Sequence, residues 1–102
     1  MTLRESRERI EEILHKSSEA QRHFLETELL VISTLIDVAR GRYLTGNRRD
    51  GDMSNANARE GIATVRRFIG TAKLSAARTA FFARRCSEFE RAVAALPKRP
   101  SS

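Results

Sequence analysis

The feature that most constrains this chain is its lack of proline before Pro97, combined with apolar residues that recur at helical spacing. Between residues 3 and 38, apolar residues recur at heptad-like spacing and form one apolar stripe. From Phe24 onward a second apolar stripe lies beside it. A strand would instead alternate apolar and polar residues with a period of two. The pattern therefore predicts an all-α fold.

Helix boundaries follow from capping signals and from one polar segment. Thr2 followed by Glu5 matches a capping box at the start of a first helix, and Asn57 followed by Glu60 repeats that pattern. The segment between them is rich in Gly, Asn and Asp and lacks apolar periodicity, which favours a loop. The sequence predicts a single domain over residues 1–96, with helices over about 3–44 and 56–96, a loop over about 45–55, and a mobile tail over 97–102.

Two long helices joined by a short loop must fold back on each other as an antiparallel hairpin. The two stripes of the first helix cover roughly half of its circumference, which is wider than one neighbouring helix covers. This width predicts a homodimer in which two hairpins form a four-helix bundle. The expected dimer-interface residues are Phe24, Leu25, Leu29, Val31, Ile32, Leu35, Ile36 and Tyr43.

Positive charge is concentrated in the second half of the chain. The formal net charge is +6, yet residues 1–44 carry seven basic and eight acidic side chains, a net of −1. Residues 56–102 carry ten basic side chains against three acidic ones, a net of +7. Such asymmetry indicates an acidic partner rather than a particular fold.

On a single continuous helix these charges would form two lines. Positions 59, 66, 73, 84 and 91 fall within about 40° of one another, and positions 67, 78 and 85 form a second line about 110° away. Leu74 and Phe81 point between the two lines, and apolar groups rimmed by charge indicate an interface. The predicted partner-binding residues are Arg59, Arg66, Arg67, Lys73, Leu74, Arg78, Phe81, Arg84, Arg85 and Arg91.

The charge pattern favours a small interaction or assembly protein whose partner is another protein. The alternative is non-specific binding of nucleic acid, an anionic polymer, because phosphate contacts need only positive charge. No helix-turn-helix, zinc-finger or aromatic RNA-binding motif is present to support sequence readout. Simple solvation of an arginine-rich helix is the third interpretation.

One short segment supports a different alternative. His23 is followed by Phe24 and, at the fourth position, by Thr27, and this segment resembles the phosphoacceptor motif of sensor-kinase phosphotransfer domains. Those domains are dimeric helical hairpins, and their motif carries an acidic residue where this chain has Phe24. The resemblance implies that His23 would be the phosphoacceptor of a histidine phosphotransfer protein.

No other group predicts catalysis or metal binding. Glu12 and His15 have the Glu-x-x-His spacing of di-iron bundles, but His15 falls about 160° from the apolar stripe and should face solvent. Cys86 lies on the predicted core face and suits a small buried hydrophobe in a reducing cytoplasm. We therefore expect no enzyme, cofactor, metal or small-molecule substrate, and no membrane span, since the most apolar stretch, residues 29–39, is short and contains Asp37.

Overall fold

The computed structural model describes residues 18–97, which form three α-helices joined by two short connections. Helix α1 spans Ser18–Leu44, α2 spans Arg48–Ile69 and α3 spans Ala76–Ala94. No strand occurs between residues 18 and 97, so the predicted all-α class is confirmed there. The predicted helical segment before Ser18 and the predicted tail after Pro97 lie outside the described residues.

The first connection is a three-residue turn, much shorter than the predicted loop over 45–55. Gly46 adopts a positive φ of 82°, a conformation that glycine reaches without strain. The next residue, Asn47, caps α2 by accepting a hydrogen bond from the backbone N–H of Asp50 through its side chain at 3.3 Å. Helix α2 therefore begins at Arg48, and the expected start near residue 56 is wrong.

Polar contacts with the end of α1 explain why the polar segment is helical. The Tyr43 hydroxyl donates to Asp52 Oδ1 at 2.6 Å, and Asn55 Nδ2 donates to the Tyr43 oxygen at 3.3 Å. Gly51 lies directly under the Tyr43 ring, where an added Cβ would be 2.7 Å from ring carbons. The Gly, Asn and Asp content of this segment thus reflects packing against Tyr43 rather than an irregular backbone.

Helices α1 and α2 run antiparallel. Tyr43 near the end of α1 contacts Gly51 near the start of α2, while the ring of Phe24 lies 4.9 Å from that of Phe68 at the opposite ends. This antiparallel pair is followed by a third helix, so the predicted hairpin of two long helices is corrected to three helices in the described part of the chain.

The predicted second helix is interrupted at residues 70–75. Gln21 of α1 is fully buried, and its Oε1 accepts the backbone N–H of Lys73 at 2.9 Å. Ser75 then caps α3, its hydroxyl accepting the backbone N–H of Arg78 at 3.2 Å. The linker is thus stabilised by a side chain from α1. No sequence pattern within the linker predicts this hydrogen bond.

The interruption allows all three helices to share one core. Helix α3 contacts both α1 and α2, and its apolar face packs on theirs. Burial of this apolar surface is the main stabilising contribution. The buried apolar residues are Leu25, Leu29, Ile32, Ile36 and Ala39 of α1, Ala58, Ile62, Val65 and Phe68 of α2, and Phe82, Cys86, Phe89, Val93 and Leu96 in or after α3.

Most of the predicted dimer-interface residues belong to this core. Leu25, Leu29, Ile32 and Ile36 are buried within one chain, and Phe24, Leu35 and Tyr43 pack partly against them. Val31 alone of the set is exposed, at 46% of its surface. The wide apolar stripe of α1 is therefore covered by α2 and α3, and it does not by itself require a second subunit.

Candidate partner-binding surface

The predicted basic residues do not form two continuous lines, because the helix that would carry them is interrupted. Arg59 and Arg66 lie on α2, Lys73 lies in the linker, and Arg84 and Arg91 lie on α3. The structure therefore distributes these side chains over separate surfaces, each with its own contacts.

Arg66 is bound to α3. Its guanidinium forms a bidentate pair with Glu90, with Nε–Oε2 at 2.9 Å and Nη2–Oε1 at 2.6 Å, and Nη2 also donates to Ser87 Oγ at 3.0 Å. This pair raises the pKa of Arg66 and lowers the pKa of Glu90. Because its hydrogen bonds are directed across to α3, Arg66 connects the two helices rather than projecting toward a partner.

This ion pair lines a groove of about 500 Å³ between α2 and α3. Its floor is apolar, formed by Ile62 and Val93, and Arg59 lies at its edge. The Nε of Arg59 donates to Asn55 Oδ1 at 3.1 Å. Both arginines that line the groove therefore have hydrogen-bond partners within the protein.

The outward surface of α3 carries the basic residues that are not paired in this way. Phe81 is 42% exposed and stacks edge-on against buried Phe82, with ring centroids 5.3 Å apart. The Arg84 guanidinium lies 5.9 Å from the Phe81 centroid, and Arg91, seven residues later, projects from the same side. Within residues 18–97 neither arginine forms an ion pair. We call Phe81, Arg84 and Arg91 the α3 outer face.

Two other members of the predicted set contribute to packing. Arg85 is half-buried over the ring of Phe89, at 4.6 Å from its centroid, and pairs with Glu88 at 3.3 Å. Leu74 packs partly against the core. Arg67, in the last turn of α2, is exposed to solvent.

A second basic site lies where the linker meets α1. Arg22, Lys73 and Arg78 line a cleft of about 310 Å³, which we call the linker cleft, and Glu19 lies at the same opening. Arg22 contacts Glu19 at 3.8 Å and Glu26 at 3.7 Å, both long for ion pairs. Sequence reasoning missed Arg22, because only the tertiary fold brings α1 beside the linker.

The remaining candidate groups are separate from one another. Cys86 is fully buried, and burial raises the pKa of its thiol, which disfavours the reactive thiolate. His23 is exposed on α1, whereas Glu12 and His15 lie outside the described residues. Between residues 18 and 97 no cluster of three or more His, Cys, Asp or Glu residues could hold a metal ion. None of the three helices is long and apolar enough to cross a membrane.

No known family model matches the chain, and no curated protein or solved structure is significantly similar to it. The α3 outer face and the linker cleft are therefore the features that indicate a function.

Proposed function

We propose that this chain is a small, non-enzymatic, homodimeric assembly protein that binds an acidic partner protein through the α3 outer face. The observation that carries the proposal is the exposed ring of Phe81 beside Arg84, with Arg91 two turns further along the same side of α3, and no carboxylate neutralises either arginine within the described residues. Aromatic and arginine side chains are the types most enriched in energetically dominant interface positions.

The chemistry of this surface defines the partner. An apolar pocket or side chain on the partner would cover Phe81, while carboxylates around it would pair with Arg84 and Arg91. The Phe81 ring already contacts the Phe82 ring and the Arg84 guanidinium, and these contacts reduce the conformational freedom that it would lose on binding. The arginines would accelerate association and select acidic partners, and the buried ring would supply most of the affinity.

A second candidate function is binding of a nucleic-acid backbone, and the linker cleft is the observation that favours it. Three cationic side chains from α1, the linker and α3 line one opening there together with the carboxylate of Glu19, and Arg22 also contacts Glu26. Phosphate recognition needs such positive charge and no base-specific contact.

Four proteins distinguish these functions: the wild type, Phe81→Ser, the double variant Arg84→Gln/Arg91→Gln, and the control Arg48→Gln/Arg49→Gln. The control removes the same charge from exposed positions at the start of α2. Each protein is titrated with duplex DNA and single-stranded RNA at about 50 mM and about 200 mM salt, and each is used for affinity capture from native extract.

A protein partner predicts that capture of one specific polypeptide is lost with Phe81→Ser as well as with the α3 arginine variant, but not with the control. A nucleic-acid function predicts binding that weakens steeply with salt and is insensitive to Phe81→Ser. Capture that is equal for wild type and Phe81→Ser would refute the proposed role of the α3 outer face.

A further inference from the structure

The side of α1 that faces away from the core is apolar or uncharged along its centre. Between residues 27 and 41, at about 100° per residue, seven positions fall within about 60° of Thr34, directly opposite the buried side chains of α1, and six of them are uncharged. They extend over about 21 Å of helix. Asp37 lies at the edge of this strip and pairs with Arg40 at 3.0 Å. The α1 outer face consists of Thr27, Leu30, Val31, Thr34, Val38 and Gly41.

This face exposes a concentration of large apolar side chains. Leu30 is 71% exposed, Val31 46% and Val38 39%, and neither α2 nor α3 covers them. Exposed apolar residues are ordinary when scattered, but a contiguous group on one helix face marks an interaction surface.

The polar atoms of the α1 outer face are already satisfied. The Thr27 hydroxyl donates to the His23 carbonyl at 3.0 Å, and the Thr34 hydroxyl donates to the Leu30 carbonyl at 2.9 Å. Burying both threonines therefore leaves no unpaired hydroxyl donor. The charged side chain at the edge of the strip, Asp37, is paired with Arg40. The six uncharged residues of the face can thus lose water at little polar cost.

We propose that the α1 outer face binds the same face of a second copy of this chain, with the two helices antiparallel and a two-fold axis near Thr34. This arrangement places Val31 against Val38 of the second copy and Thr27 against Gly41 of the second copy. The inference rests on the homodimerisation included in the proposed function. It places the dimer interface on the α1 outer face instead of on the apolar stripe that is buried within one chain.

Charges beside the face favour the antiparallel orientation. Glu26 lies about 12 Å before Thr34 along the helix, and Arg40 lies about 9 Å after it on the same flank. The two-fold axis therefore brings Glu26 of each copy close to Arg40 of the other, and these side chains are each about half exposed. In a parallel pair, Glu26 would lie beside Glu26 of the second copy and Arg40 beside Arg40, so like charges would meet. The two helix dipoles would also point in the same direction, which is unfavourable.

The first experiment tests whether this face mediates association. Light scattering coupled to size exclusion should give twice the 11.5 kDa of one chain for the wild type at concentrations well above about 10 μM, since a face this short supports only modest affinity. Leu30→Glu/Val38→Glu should return the mass to that of one chain. Met53→Glu is the control, because Met53 is 60% exposed on α2 and lies off the face.

The second experiment tests the orientation. In a Cys86→Ala background, Thr34→Cys should form a disulfide-linked dimer on mild oxidation, because residues at a two-fold axis face their own copies. A mixture of Thr27→Cys and Gly41→Cys chains should cross-link to each other rather than to themselves. A side chain is tolerated at position 41, where an added Cβ meets nothing within 4 Å. Met53→Cys should remain monomeric on the gel.

The outcomes separate this inference from the proposed function. A wild-type monomer at high concentration would overturn both the dimer and its assigned face. A wild-type dimer that persists in Leu30→Glu/Val38→Glu would overturn the face alone. Cross-linking of Thr27→Cys to itself would overturn the antiparallel arrangement. Circular dichroism should show unchanged helicity when residues 27, 30, 34, 38, 41 and 53 are altered, since these positions are exposed. The cross-linking variants are compared with Cys86→Ala alone, because that substitution is in the core.

Discussion

The start of α2 and the linker at residues 70–75 both contact α1, but local preference and structure agree only in the linker. The segment after Asn47 is rich in Gly, Asn and Asp, yet it is regular helix beside Tyr43. The linker contains Gly70, Thr71 and Ser75 as well as Ala, Lys and Leu, and it is irregular and is bonded to Gln21. Contacts with α1 therefore outweigh the local preference at the start of α2, whereas in the linker they add to the helix-ending role of Gly70 and the capping role of Ser75.

The magnitudes explain how packing outweighs the local preference at the start of α2. Intrinsic helix propensities differ by less than about 1 kcal/mol per residue for residues other than proline. A buried side chain that packs fully contributes about 1.5–3 kcal/mol. Redirecting the chain at residues 70–75 buries several such groups of α3, so packing also favours the end of α2 there.

The largest expected effect tests whether α3 depends on the shared core. Phe82→Ala should lower the free energy of unfolding by about 3–5 kcal/mol, because the ring is 1% exposed and its loss leaves a cavity. Phe81→Ala, at the neighbouring exposed position, should change it far less. Chemical denaturation measures both. Equal losses would show that α3 is not held by this core contact.

A second pair of variants tests packing at the first connection. Gly51→Ala should destabilise the protein by about 1–2 kcal/mol, since its Cβ would lie 2.7 Å from the Tyr43 ring. Gly41→Ala, with nothing within 4 Å, should instead stabilise α1 by about 0.5–1 kcal/mol. Thermal unfolding followed by circular dichroism compares the two. A stabilising Gly51→Ala would mean that Tyr43 does not constrain the start of α2.

The hydrogen bond that defines the linker should have a smaller global effect. Gln21→Leu keeps an apolar side chain in the core but removes the acceptor of the Lys73 N–H, with an expected loss of about 0.5–1.5 kcal/mol. Amide hydrogen exchange should accelerate selectively at residues 70–75. Unchanged exchange in the linker would contradict the role of Gln21 in holding it.

The smallest effect is a pH dependence of the contact between α2 and α3. Arg66 lowers the pKa of Glu90 below its usual value near 4.5. The pair therefore contributes stability above about pH 4.5, and that stability is lost as pH falls through the lower pKa of the folded state. Both side chains are partly exposed, so the contribution should be below about 1 kcal/mol.

Comparing the pH dependence of unfolding for the wild type and Glu90→Gln isolates this contribution. In Glu90→Gln, the free energy of unfolding should fall less steeply as the pH is lowered, because the contribution of the ion pair is absent. If the free energy of unfolding changes with pH equally in the wild type and in Glu90→Gln below pH 4.5, the ion pair of Arg66 and Glu90 adds nothing to stability.

The sequence pattern identified the helical class, the end of the first helix near residue 44 and the apolar stripe of α1, although the buried residues of that stripe were assigned to a dimer interface. It also singled out Phe81, Arg84 and Arg91, whose place on one helix face follows from spacing within α3 alone. It failed at the linker, because the acceptor for Lys73 is Gln21, which lies 52 residues away in sequence. Local signals of the break were Gly70 and the capping residue Ser75, and the signal for Gln21 was its position four residues before Leu25 on the apolar side of α1.

What the sequence alone determined is the helical class and the amphipathic character of its segments, since a 3.6-residue period is a local property of side-chain order. The tertiary structure decided which basic residues remain available and which apolar face remains uncovered. Arg66 is paired to Glu90, and Arg22 joins Lys73, only because separate helices meet in space. Leu30 is exposed, whereas Leu29 is buried, because α2 and α3 cover only one side of α1.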